Sequence, residues 1–286
     1  MNNKVFLNKI WEILKPFLVY YILHNVIFVL ILFLCRVTAE GLGEEYLTYL
    51  TEHAETVTGL VSGLSMLLCV LPLRPWLRSE LAEHKAETDC VNRRSSVQGK
   101  NMTEEGRRGD GLHKVATMGL TIVLAVTASL GLNILLTLTG LVGMSEEYGE
   151  VADRQYGVAF GAGMILYGLI SPIAEEIVFR GLIFNRMRRY FPHMAAVIAS
   201  GVLFGIYHGN VVQGLYGGCM GILMAYLYER SHSFVVPCLF HATANMVVYV
   251  VAQSIFVQSI IFTVYGCVVL LIISAACVFI IEKIRG

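Results

Sequence analysis

Ser171-Pro172-Ile173-Ala174-Glu175-Glu176-Ile177-Val178-Phe179-Arg180-Gly181 sets two adjacent carboxylates and an arginine at the end of a long apolar run. An ionisable side chain at membrane depth costs kilocalories unless it is paired or hydrated, so it marks function by default. On a helix Glu176 and Arg180 stand four residues apart and face each other, with the glutamate on the favourable N-terminal side. Glu175 is turned about 100° away and lacks that partner. One carboxylate is neutralised and the other is free to work.

The rest of the chain fits a membrane setting. Of its 286 residues 56% are hydrophobic and 15% charged, and the mean hydropathy is +0.66. A soluble domain of this length needs more charge to cover its surface, so the chain reads as an all-α, polytopic membrane protein. The net charge is zero, which gives no argument for a nucleic-acid partner. Seven cysteines form no C-x-x-C pair and mostly lie in apolar runs, where they read as small hydrophobes in helix packing. Lys4, Lys9 and Lys15 precede the apolar run Phe17–Leu34. That run is long for a signal peptide and further spans follow, so it reads as an uncleaved first span.

Apolar runs of about membrane length fall near 17–35, 57–76, 115–143, 156–174, 194–212, 213–228, 234–254 and 259–281, predicting about eight transmembrane helices. The segments between them alternate in charge. The N-terminus, 77–113, 180–193 and the C-terminus are basic, whereas 36–56 and 144–155 are acidic. By the positive-inside rule both termini are cytoplasmic. The segment 77–113 mixes charges with Ser, Gly and Asn and lacks apolar periodicity, predicting a flexible cytoplasmic linker. The chain divides into N-terminal spans (1–155), a core (156–250) and a last span (251–286). Four-apart glycines in the core, among them Gly201/Gly205 and Gly214/Gly218, predict closely packed helices.

Two more polar clusters lie in that core. Phe204-Gly205-Ile206-Tyr207-His208 puts a histidine on an apolar span, and His241-Ala242-Thr243-Ala244-Asn245 puts two polar groups on one helix face. At about 1.5 Å per residue, Glu175 lies roughly 16 Å from Arg186, and His208 roughly 22 Å from His193. His241 and Asn245 lie roughly 12–18 Å from Ser233 by the same count. These depths allow the groups to meet in one cavity, which the topology predicts to open to the cytoplasm. An intramembrane histidine also serves as a hydrogen-bonded packing residue, and that reading stays open for each of them.

A glutamate in a low-dielectric pocket is a plausible general base. With His208 helping to hold a water, Glu175 can generate the nucleophile that attacks a peptide carbonyl. His241 and the Asn245 amide can then donate to the developing oxyanion. No Ser or Cys is paired with a base and an orienting third group, which disfavours covalent catalysis. A zinc-type set of Glu175, His208 and His241 is a further option, although no H-E-x-x-H is present.

At these residues the chain resembles the CAAX-protease and bacteriocin-processing (CPBP, or Abi) family of intramembrane endopeptidases, which includes the type II CAAX prenyl proteases. The family pattern E-E-x-x-x-R, F-x-x-x-H and H-x-x-x-N/D reads here as Glu175-Glu176…Arg180, Phe204…His208 and His241…Asn245. All three motifs are complete and in order, and together they are specific. The resemblance covers roughly 156–250. It implies a glutamate-dependent endopeptidase with Glu175 as base, assisted by His208, and with His241 and Asn245 as the oxyanion hole. Glu176, counted with these as a candidate catalytic residue, has an orienting part with Arg180, and Phe204 is structural.

Members of the family are described both with and without a metal, so the cofactor expected is none, with zinc as the option. Bacterial members are associated with peptide maturation and bacteriocin immunity. The implied substrate is a peptide or a lipidated, membrane-anchored protein tail reached from the cytoplasmic side of a bacterial membrane. A non-catalytic immunity or scaffold protein retaining the fold is the alternative. A proton-coupled transporter is a third class, and it predicts an internal symmetry that the sequence lacks.

Overall fold

The computed structural model describes residues 3–97 and 104–285. It is helical throughout: α1 (Asn3–Leu42), α2 (Glu44–Glu52), α3 (Ala54–Val97), α4 (Glu104–Leu138), α5 (Leu141–Met144) and α6 (Glu146–Tyr156) form the N-terminal part. A long helix α7 runs over Phe160–Arg188. It is followed by α8 (His193–Tyr207), α9 (Val211–Ser231), α10 (Val235–Ala252), α11 (Ile255–Ile261) and α12 (Val264–Arg285). Seven of these helices (α1, α3, α4, α7, α9, α10, α12) are long and apolar enough to cross a membrane. The eighth expected span, α8, is apolar but has 15 residues. The protein is an all-α, polytopic membrane protein.

The linker expected over 77–113 is a correction. Helix α3 continues to Val97 and α4 begins at Glu104, while 98–103 lie outside the described residues. The missing apolar periodicity misled because this part of α3 packs through charge. Glu80 receives Arg186 Nε at 2.9 Å and Arg189 Nη2 at 2.6 Å, and His84 Nδ1 meets Arg188 Nη1 at 2.5 Å. Arg186, Arg188 and Arg189, expected in a loop at 180–193, therefore lie at the end of α7 and clamp it to α3. Arg186 also donates to the Glu12 carbonyl at 2.6 Å, which ties α1 into the same end.

At the other end of the bundle the chain reverses tightly between α8 and α9. Gly209 adopts φ 78°, a left-handed conformation that costs glycine little. Asn210 then caps α9, its side chain accepting from Gln213 N–H at 2.9 Å. The two helices pack backbone to backbone along their glycines. A Cβ on Gly221 would stand 3.0 Å from Gly201 Cα, and one on Gly201 would stand 2.5 Å from Ile222 N. Gly157 and Gly161 are also four apart, but Gly161 meets nothing within 4 Å, so these two do not form a packing seam. Gly201→Leu is expected to force α8 from α9 and lower stability by about 1–3 kcal/mol, read as an earlier thermal transition in detergent. An unchanged transition would mean that this seam is not tight.

Candidate active site

Helix α7 crosses the core with two wider, π-helical turns, at Leu166–Ile170 and Ile177–Phe184, on either side of Ser171–Glu176. Pro172 lacks an N–H and cannot close the normal hydrogen bond. Ser171 N–H reaches back to the Leu166 carbonyl instead. Turns of this kind recur at functional sites, where they re-aim side chains. Here they bracket the two glutamates.

The two carboxylates have different surroundings. Glu176 is fully buried, and its Oε1 receives Arg180 Nη1 at 2.8 Å, the pairing expected from the four-residue spacing. Arg180, also fully buried, donates through Nη2 to the Gly221 carbonyl of α9 at 2.8 Å. Its guanidinium lies 4.7 Å from the centre of the Phe204 ring on α8, close enough for a cation–π contact. Glu176 Oε1 additionally meets His241 Nδ1 of α10 at 2.9 Å. One ion pair therefore connects four helices. The pairing with His241 was not legible beforehand, because nothing in the spacing of 176 and 241 signals it. Glu176 Oε2 and Arg180 Nε find no partner, so the pair is not fully satisfied.

Glu175 faces the other way, into a cavity of about 230 Å³ that Ser171, His208, His241 and Asn245 also line, with Phe204 in its wall. Glu176 and Arg180 do not line it. Glu175 Oε1 accepts from Ser171 Oγ at 2.7 Å, and Oε2 lies 3.7 Å from His241 Nε2. Ser171 was missed in the sequence, although it sits four residues before Glu175, on the same helix face. All four groups singled out around this cavity are thus brought together, while Glu176 is set behind them, outside the cavity lining.

The hydrogen bonds orient the remaining groups. His208 Nδ1 lies 2.8 Å from the Phe204 carbonyl; a carbonyl accepts only, so that nitrogen carries hydrogen. Nε2 of a neutral His208 is then an acceptor. His241 Nδ1 donates to the Glu176 carboxylate by the same logic. Asn245 Nδ2 donates to the Tyr167 carbonyl at 3.0 Å, which fixes the amide orientation and leaves its second hydrogen available. The Phe204 ring stacks edge-on against both histidines, at 4.9 Å and 5.6 Å between centroids. It holds the two imidazoles apart. Among the described residues no three His, Cys, Asp or Glu side chains are gathered as a metal would need.

The entrance departs from expectation. From Glu175 and His241 the cavity runs past Tyr167, Asn245 and Tyr216 to Tyr148, Gln155 and Gln213. That is the end where α6 and the α8–α9 turn lie, opposite the Arg186–Glu80 clamp. An opening on the same side as the basic 180–193 segment is therefore corrected. His208 shows the reason: it follows the last residue of α8, so its depth counted from His193 measured its distance from the wrong end.

Residues 158–247 match the family model described as "Type II CAAX prenyl endopeptidase Rce1-like". Over 87 residues the chain is 33% identical to "Putative membrane peptidase YdiL" of Bacillus subtilis (strain 168). That match takes in 30% of this chain and 36% of the relative, so the chain spans about a third of the length of the curated protein it matches. No solved structure gives a significant match. The three motifs, with Glu175, His208, His241 and Asn245 of the cavity, lie within 158–247, and over this stretch the chain is similar to the CAAX-protease and bacteriocin-processing family.

Proposed function

We propose that the protein is an intramembrane endopeptidase that hydrolyses a peptide bond in a membrane-associated peptide or protein tail through a glutamate-activated water. The observation that carries this reading is the division of labour between the two adjacent carboxylates. Glu176 is consumed by Arg180 and His241 outside the cavity, while Glu175 faces into it beside two imidazoles and an amide. Packing alone has no use for the second carboxylate.

In this mechanism Glu175 takes a proton from water as the oxygen attacks the scissile carbonyl, with His208 Nε2 accepting the water's other hydrogen. The Ser171 hydroxyl steadies the ionised carboxylate through Oε1. With a proton on each ring nitrogen, His241 donates to Glu176 through Nδ1 and offers Nε2–H to the oxyanion, beside the free Asn245 amide hydrogen. Glu175, Glu176, Arg180 and His241 then sum to zero charge, which suits a low-dielectric interior. Glu175 finally returns its proton to the leaving amine. The metal-free route is the one proposed. What supports it is the donor set: Glu175 Oε1 and His241 Nδ1 are engaged within the protein, and His208, Glu175 and His241 are not gathered as ligands.

Purified protein beside its Glu175→Gln variant, offered quenched prenylated-CAAX and leader-type peptides, tests the reading. Cleavage that is lost in the variant and unaffected by a chelator is expected, and cleavage that persists in the variant refutes the mechanism. Asn245→Ala is expected to lower kcat by about 10²–10³-fold, the scale for one oxyanion donor, with KM nearly unchanged. A rise in KM alone would instead make Asn245 a substrate-binding group. The bacterial cytoplasmic membrane is the proposed location.

A further inference from the structure

The bundle has two chemically distinct ends, and the cavity opens at one of them. At the closed end, Lys9 lies over the Tyr190 ring. There Arg186 and Arg189 bind Glu80, and Arg188 Nε binds Glu229 at 2.8 Å. At the open end, Thr56 Oγ1 accepts from Ala159 N–H at 3.0 Å, and Gln253 Nε2 donates to the Tyr156 carbonyl at 3.3 Å. These bonds place the α2–α3 junction, α6 and the end of α10 together around the mouth.

Helix α6 lies across that mouth. Tyr148, Val151, Ala152, Gln155 and Tyr156 are half-buried on one face, whereas Glu146, Glu147, Glu150 and Asp153 are exposed on the other. The spacing i, i+3, i+4, i+7, i+8 is that of a helix seated on an apolar surface. Below Glu175 the packing runs through Leu182, Phe184 and Tyr228, all fully buried.

Lysine and arginine, rather than acidic residues, set the orientation of a membrane protein. Among the described residues only Arg36 and Arg154 lie at the open end, and each is paired within its own helix, with Glu40 at 2.9 Å and Glu150 at 3.1 Å. Lys9, Lys15, Arg78, Arg186, Arg188 and Arg189 lie at the closed end. The closed end is the one that stays in the cytoplasm.

From this juxtaposition we infer that the active-site cavity opens to the extracytoplasmic side, and that its substrate is a polypeptide segment presented from that side. An exported peptide or the outer flank of a membrane-anchored protein has this chemistry; a tail confined to the cytoplasm does not. The sidedness stands on the fold and charge distribution alone. Only its extension to a substrate rests on the endopeptidase reading.

The test uses full-length, cysteine-free protein in a bacterial membrane, carrying Glu147→Cys (mouth), Val248→Cys (cavity wall) or Lys85→Cys (closed end). A membrane-impermeant maleimide added to intact cells is expected to label the first two, and Lys85→Cys only after permeabilisation. The reverse pattern overturns the inference. Should the cysteine-free chain fold poorly, trypsin digestion of wild-type protein replaces it. Cutting at the basic end in inverted vesicles but not in spheroplasts supports the orientation, and the opposite result overturns it. An impermeant quenched peptide outside intact cells then separates the two readings. Cleavage supports both, and cleavage only after permeabilisation overturns the substrate side. Silence before and after permeabilisation, with mouth labelling intact, sinks the protease reading and leaves the sidedness standing.

Discussion

Glu175→Gln is expected to lower kcat by about 10²–10⁴-fold, the range for removal of a general base, while leaving the fold in place. The substitution preserves shape: the amide oxygen can still accept from Ser171 Oγ, which lies 2.7 Å from Oε1 in the native protein. It abolishes the capacity to accept a proton from water. At 1.36 kcal/mol per tenfold this is about 2.7–5.4 kcal/mol of transition-state stabilisation, larger than the expected share of Asn245 on the same scale. The thermal transition should move less than when the Glu176–Arg180 pair is broken, since His241 keeps Glu176 at 2.9 Å. Ser171→Ala is the companion measurement and should cost less than Glu175→Gln, because it removes one hydrogen bond to the base and leaves the base. If Glu175→Gln turns over at the native rate while folded, the base is elsewhere in the cavity, and His208 is the next group to replace.

The parts of this site that are legible in sequence are those fixed by helical spacing. Glu176 with Arg180, and His241 with Asn245, lie within single helices, and the 3.6-residue repeat dictates their faces. The apolar runs likewise show the helices that cross the membrane. What escaped depends on contacts between helices. Glu176 meets His241 across 65 residues, and Arg180 meets the Gly221 carbonyl across 41. Neither separation carries a local signal. The charged extension of α3 was read as a linker because its partners, Arg186, Arg188 and Arg189, approach from α7. The side on which the cavity opens was missed for a related reason. Counting residues gives a depth along each helix, whereas the entrance is set by α6, which lies over the bundle and contributes no motif.

Breaking the Glu176–Arg180 pair is expected to be the most destabilising change in the protein, at about 3–5 kcal/mol for either single substitution. Both side chains are fully buried. Arg180→Met leaves the Glu176 carboxylate with His241 as its only partner, and Glu176→Leu leaves a guanidinium held by one carbonyl and one aromatic face. The cost in each case is mostly that of the stranded charge, so removing both charges should recover much of it. A well-packed apolar replacement of a buried ion pair is often neutral or better, and this pair already has two unsatisfied atoms. The double variant Glu176→Leu/Arg180→Met is therefore expected to melt close to the native protein and well above either single variant. Its turnover should not return. The Glu176 carboxylate also fixes His241 through Nδ1, and without it the imidazole loses the bond that aims Nε2 toward Glu175. Stability rescued with kcat still low makes Glu176 a positioning residue acting through His241. Recovery of both quantities would reduce it to a structural counter-ion for Arg180, and singles as stable as the native protein would mean that the four-helix junction contributes nothing to the fold.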